Sequence, residues 1–391
     1  MMHESKSSDT LWRSHVDREF VTGLRRFASE HIAPHAQEID RRDVYPYKII
    51  KALAAEGYST TTLDSKYGGA GMSYSHAVAT FEELSVASAA VGISLITIFQ
   101  AQTMIFLFGS ESLRDRYLPQ FRKGLLTSYA LTEANHGSDI RQLDTKAQLD
   151  GTEWVLTGEK SFITSGSAAE LFVILAETPT GVSVFAVPRD IPKLEIYKGN
   201  NSATFGLRNG PHMNVRLQGV RLPSDHLIGI EGKGVRQAVT VLDHSRTLAG
   251  AISLGIARAA FEDALQFARN RVAFGQTVAE FQGIQWYFAD MLTEIDAARL
   301  LVYYAAQALD RHDDIARYSS EAKLKACAVA TEVAAKAVQI CGAYGVTENA
   351  PFGRYLRDAK AYEIAGGSGE VLKNTIAKYL LRGPVTRKQP I

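Results

Sequence analysis

From about Val16 to Leu126, apolar residues recur mostly at three- and four-residue intervals. Phe20, Leu24, Phe27, Ile32 and Ala33 fall roughly on one face with charges between them, the period of an amphipathic helix. Pro34 and Pro46 interrupt the pattern, and Lys66-Tyr67-Gly68-Gly69-Ala70-Gly71 reads as a turn. Residues 75–108 predict one or two long apolar helices. After Tyr129 the period shortens. Residues 154–156, 171–175, 182–187 and 213–217 are β-rich runs punctuated by Gly151, Gly158, Gly181 and Gly219, and they predict a small all-β domain ending near Gly229. From Gly234 the helical period returns. Three long alanine-rich segments (about 235–270, 280–311 and 314–343) and a shorter one (about 369–382) predict an antiparallel four-helix bundle. The expected architecture is mainly α with a central β domain, divided at 1–128, 129–230 and 231–391.

Composition narrows the function classes. The chain has 391 residues, 46% of them hydrophobic and 22% charged, enough for a large core. Net charge is +1, from 43 basic and 42 acidic side chains, which lacks the clustered positive excess of a nucleic-acid binder. Cys327 and Cys341 both lie in apolar helical contexts, so no disulfide framework is expected and a reducing compartment fits. The segment Met1–Asp17 is polar and lacks the apolar centre of a signal peptide. No stretch reads as the roughly 20 apolar residues of a membrane span. A cytoplasmic protein without membrane or nucleic-acid partners is expected.

Several short motifs carry candidate chemistry. Tyr129-Ala130-Leu131-Thr132-Glu133 is followed by Ala134-Asn135-His136 and then Gly137-Ser138-Asp139, a glycine-containing turn whose backbone N–H groups could approach phosphate oxygens. Gly158-Glu159-Lys160-Ser161-Phe162-Ile163-Thr164-Ser165-Gly166 would by itself be an ordinary hairpin strand. Arg269-Asn270-Arg271-Val272-Ala273-Phe274-Gly275 leads into Phe281-Gln282. Further on come Gln339-Ile340-Cys341-Gly342-Ala343-Tyr344-Gly345 and the segment Arg357 to Ser368.

Taken in order, these motifs and the helix–β–helix plan resemble the acyl-CoA dehydrogenase family over nearly the whole chain. The resemblance implies FAD as cofactor, bound through Tyr129, Leu131, Thr132, Gly137, Ser138, Phe162 and Thr164, with Phe162 against the flavin and the Thr164 hydroxyl at its reactive nitrogen. It implies that Arg271 and Phe274 reach the dinucleotide of a neighbouring subunit, with Gln282 a further cofactor contact, so that a homo-oligomer, a tetramer by family habit, is needed to retain FAD. A guanidinium suits a diphosphate because it binds oxygens bidentately. Gln339 and Gly342, with Ser368 and Glu370 at a helix start, complete the implied cofactor set. Ala343 stands where the family has a glycine. Asn135 also replaces a glycine and can adopt a left-handed backbone. His136 is either an exposed loop histidine or a contact to phosphate or substrate.

The family's base is missing. Many members carry a glutamate where this chain has Gly366; others carry it before an arginine early in a later helix, where this chain has Ser245 before Arg246. A positioned base contributes ~10²–10⁴-fold. Asp243 and His244 are neighbours, but successive helical residues point about 100° apart, which opposes simple replacement. His244 is kept as a candidate base, and Asp243, Ser245, Arg246 and Ala365 as candidate substrate contacts. The resemblance also places the Gly366 backbone N–H on the thioester carbonyl, a group that survives the loss of the side chain. Three functions are therefore expected in order. The first is non-standard flavin chemistry on a thioester of CoA or acyl carrier protein: oxygenation, elimination or desulfination, or oxidation of an already acidic substrate, with oxygen or an electron-transferring flavoprotein as acceptor. The second is an ordinary dehydrogenase with a relocated base. The third is a non-catalytic flavin-binding interaction protein.

Overall fold

The computed structural model describes residues 15–200 and 202–383. The described residues form two compact units. One runs to Gln37 and takes in Ser73–Gly92 and the chain from Arg246 on; the other takes in Glu38–Met72 and Ile93–Ser245. Most of the amino-terminal segment read as polar lies outside the described residues.

Helix α1, Arg18–Phe27, buries Val21, Leu24 and Phe27 at helical spacing. It passes into a wider π turn, Ala28–Ile32, and a 3₁₀ turn containing Pro34, whose missing N–H breaks the regular ladder. Helices α2 (Ala36–Arg42), α3 (Tyr47–Ala55, directly after Pro46), α4 (Tyr74–Ala87), α5 (Ala89–Phe108) and α6 (Glu111–Arg122) follow. The Ser73 and Ser110 hydroxyls cap α4 and α6 by accepting from the His76 and Leu113 N–H groups. Helix α5 has no charged residue in 20, so it reaches the length and apolarity of a membrane span, contrary to the expectation from sequence; α9, introduced below, also does by length and composition. Most of α5 is buried inside the protein, which accounts for its all-round apolar surface.

The sheet unit holds strands β1 (Thr127–Ala130), β2 (Lys146–Asp150), β3 (Glu153–Ile163), β4 (Leu171–Thr178), β5 (Gly181–Pro188), β6 (Leu194–Tyr197), β7 (Met213–Pro223) and β8 (Leu227–Ile228). They run in the order β6-β7-β3-β2-β4-β5-β8, with β1 parallel to β4. Strand β4 is buried almost throughout, which is why it reads as a continuous apolar run. Trp154, Phe172, Phe185, Val215 and Leu217 lie in the core it helps to form.

The helical unit contains α1, α4, most of α7 (Gly234–Asn270), a two-stranded ribbon β9 (Val272–Ala273) and β10 (Gln276–Thr277), α8 (Gln282–Asp310), α9 (Ile315–Gly345), α10 (Phe352–Ile364) and α11 (Gly369–Arg382). Helix α10 is additional to the expected four. Its buried face mixes Arg354 and Asp358 with Phe352, Tyr355, Ala359 and Tyr362, which hides the apolar stripe. A buried ionic cluster ties three helices: Glu82 of α4 accepts from Arg258 of α7 at 3.0 Å, and from Arg299 at 3.4 Å and the Tyr303 hydroxyl at 3.1 Å, both of α8.

Candidate active site

In the sheet unit, the β1 exit and the β3 hairpin converge. The Ser161 N–H donates to the Thr132 carbonyl at 2.9 Å, and the Ser128 hydroxyl donates to the Thr164 carbonyl at 2.6 Å. These bonds place Tyr129, Leu131 and Thr132 beside Phe162 and Thr164. Between Lys160 and Ile163 the β3–β7 register slips, and Phe162 sits there with φ 57°, the residue 46% exposed. A bulky residue held left-handed and presented to solvent is a strained arrangement of the kind found where a ligand is received.

The turn after Thr132 is built around one buried carboxylate. Glu133 accepts from the Lys160 ammonium at 2.7 Å and from the Asp144 and Thr145 N–H groups at 2.5 and 3.0 Å, with both charged side chains buried. Burial alone would raise the Glu133 carboxyl, but the Lys160 charge and these donors outweigh it and hold it below its ordinary value. Burial pushes Lys160 down to about 8, against the pull of Glu133. Reciprocal backbone bonds between Glu133 and His136 close the turn and carry Gly137 and Ser138 outward, exposed, with nothing within 4 Å of where a Gly137 Cβ would stand. Asn135 is not among the residues with positive φ, so the left-handed backbone it could adopt is not used; its amide donates to Asp144 at 3.2 Å. His136 is half-buried with its ring 3.3 Å from the Asp144 carboxylate.

The α7 stretch proposed for substrate is buried: Asp243, His244, Ser245 and Arg246 are each at most 5% exposed. The Ser245 hydroxyl donates to the Leu242 carbonyl at 3.2 Å and accepts from the Gln100 amide at 3.2 Å. Sequence reading did not find Gln100, because its partner lies 145 residues away.

In the helical unit, Gly366 sits in the connection between α10 and α11. Ala365 ends α10 in an extended conformation, Gly366 and Gly367 have φ 72° and 113°, and Ser368 precedes α11. The bonds that fix this connection end on its carbonyls. Lys323 of α9 donates to Tyr362 at 3.1 Å and Gly367 at 2.8 Å, and Arg246 to Gly366 at 3.5 Å; none of them uses the Gly366 N–H. A Cβ on Gly366 would meet only the Lys323 Cε, at 3.8 Å. Glu370 is exposed, its carboxyl held below the ordinary value by its own N–H and the Ser368 hydroxyl. Glu363 pairs with Lys360 at 2.7 Å. Lys323 also escaped the sequence reading, although a charge on the apolar stripe of α9, among Ala322, Ala326 and Cys327, was a usable signal.

Arg271, exposed, lines a cavity of about 520 Å³ with Phe267, Asn270, Tyr344 and Phe352. Phe274 follows at 97% exposure and φ 53°, and Gln282 and Gln339 are exposed. Gly342 breaks α9 with φ 55° and nothing within 4 Å of an added Cβ. Cys327 and Cys341 are free buried thiols. Each unit by itself has features that fit part of a flavin dinucleotide: in the sheet unit the exposed Phe162 for a planar ring and the open Gly137 turn for phosphate, and in the helical unit the Arg271 guanidinium and the open Gly342 for a diphosphate.

Residues 14–124, 128–220 and 232–381 match the family models described as acyl-CoA dehydrogenase N-terminal, middle and C-terminal domains. An acyl-CoA dehydrogenase of Bacillus subtilis is 36% identical over 94% of this chain and all of its own length. Among solved structures, butyryl-CoA dehydrogenase from Megasphaera elsdenii superposes with a TM-score of 0.90 at 32% identity, covering 96% of this chain and 99% of that one. The prolyl acyl carrier protein oxidase AnaB gives 0.88 at 25% identity, covering 93% and 98%.

Proposed function

Because the chain belongs to the acyl-CoA dehydrogenase family, and is thus an FAD-dependent oxidoreductase of acyl-CoA, we propose that its own reaction departs from base-driven α,β-desaturation. It acts on an acyl thioester whose acidity or leaving group replaces the enzyme's base, through oxidation of an acidic substrate, oxygenation, or elimination such as desulfination. One observation carries this reading: neither base position holds a carboxylate. Gly366 has no side chain, and the Ser245 hydroxyl is already committed to Leu242 and Gln100.

When bound, FAD supplies the two-electron acceptor. The backbone of 129–132, Phe162 and Thr164 would hold the ring end, Gly137 and Ser138 the diphosphate, and Ser368 and Glu370 the adenine half. The Gly366 N–H would donate to the thioester carbonyl. One such donor stabilises charge developing on that oxygen by about 3–4 kcal/mol. That lowers the cost of losing an α-proton without supplying a base. A substrate that is acidic already then needs little more. Ala365 and Gly366, both small, leave room for a cyclic, branched or polar acyl group. The carrier is CoA or an acyl carrier protein, the latter as named for AnaB. Oxygen or an electron-transferring flavoprotein takes the electrons onward.

Assembly of several copies, a tetramer by family habit, completes the cofactor site with Arg271 and Phe274 of another copy. Exposed Trp286, Leu292, Leu300 and Tyr304 on α8 give such an assembly apolar surface to cover.

The test is anaerobic mixing of flavin-loaded protein with a panel of acyl thioesters while flavin absorbance is followed. Bleaching confined to acidic, cyclic or heteroatom-bearing thioesters supports the reading. Rapid bleaching by a saturated straight-chain thioester overturns it and returns His244 or Asp243 as base.

A further inference from the structure

Lys323 is fully buried in α9, and among the described residues no carboxylate lies within salt-bridge distance of it. A buried ammonium in that position is costly, because the charge loses water and no carboxylate meets it directly. Its Nζ instead bonds two carbonyls on either side of the α10–α11 connection: Tyr362, in the last turn of α10, and Gly367, directly after Gly366. Its Cε passes 3.8 Å from where a Gly366 Cβ would be. Gly366 and Gly367 together have more conformational freedom than any other residue pair, so nothing local holds their peptide planes in one orientation.

We propose that Lys323 is a positioning residue for the reaction, holding Tyr362 and Gly367 so that the N–H of Gly366, between them, faces the thioester carbonyl. The inference rests on the reading of Gly366 given above. Arg246, at the Gly366 carbonyl, supports the same loop from α7. Burial pushes the Lys323 ammonium below its ordinary value, with Arg246 adding to that and the Cys327 thiol and the Glu363 carboxylate opposing it.

The experiment uses the flavin-loaded full chain and a chromophoric arylacryloyl thioester of CoA, whose absorbance moves to the red when its carbonyl is polarised. The wild type is expected to shift the band on binding. Lys323→Met, which fills the same volume without charge, is expected to remain folded, to bind the thioester with an affinity within about threefold, and to lose at least half of the shift. With a turned-over substrate, kcat should fall by about 10- to 100-fold with KM little changed, the pattern of a misplaced donor. An equal shift in wild type and Lys323→Met overturns the role of Lys323 and leaves the Gly366 reading standing. No shift in the wild type overturns the Gly366 reading itself. If Lys323→Met does not fold, Lys323→Gln, which keeps a shorter donor, gives the same readout: a reduced shift supports the proposal and a full one overturns it.

Discussion

Replacing Lys160 with Met would test how the turn proposed to receive FAD is held. Lys160 and Glu133 are both buried and meet at 2.7 Å. Removing one partner of a buried ion pair costs about 3–5 kcal/mol, because the other charge is stranded. Glu133 keeps its two backbone donors, Asp144 and Thr145. They already bond it in the wild type, so they limit the damage without replacing the lost charge. The cheapest relief is local: residues 133–144 open and hydrate Glu133, which moves Gly137 and Ser138. At about 1.4 kcal/mol per factor of ten, a local cost of even half that range weakens FAD binding by at least tenfold. The assay is a double-mutant cycle in FAD affinity, read by flavin fluorescence, with Lys160→Met, Glu133→Gln and the pair. Neutralising Glu133 as well should restore most of the loss and give a coupling energy above about 1 kcal/mol. If Lys160→Met binds FAD within twofold of wild type, or the coupling is below about 0.5 kcal/mol, the reasoning fails.

Three other outcomes are expected. Gly366→Ala and Gly366→Glu should destabilise similarly, by about 1–2 kcal/mol in urea unfolding, because the cost is left-handed backbone strain and the space around Gly366 is open; a far larger loss for Glu would refute this. The folded pKa of Lys160, about 8, lies below its ordinary 10.5. Between those values the unfolded chain holds a proton that the folded chain has released, so this group's contribution rises with pH there and is flat below 8; the stability gap of wild type over Lys160→Met should therefore widen from pH 8 to 10. Ser245→Ala should keep kcat within about threefold on any substrate that bleaches the flavin, since the hydroxyl is bonded to Leu242 and Gln100; a hundredfold loss would make Ser245 part of the chemistry.

Local pattern was enough where burial follows a simple period. Strand β4, buried on both sides, appears as Leu171 to Leu175, and the long helices α7, α8 and α9 appear as stripes, because these elements are selected by which face leaves water. Motif order carried the family and the cofactor, since Thr132, Gly137, Phe162 and Arg271 are close to their motif partners in the chain. Elements with mixed burial were illegible: α10 buries Arg354 and Asp358, and β2 buries only Ala147. The membrane expectation missed α5 for a related reason. A helix surrounded by protein and one surrounded by lipid both need apolar residues on every side, and only the fold says which surrounds it. What tertiary structure alone decided is which polar groups meet. Glu133 finds Lys160 across 27 residues, Gln100 finds Ser245 across 145, and Lys323 reaches Gly367 across 44. No local periodicity encodes such pairs, because a buried charge selects its partner by distance in space after the chain has packed.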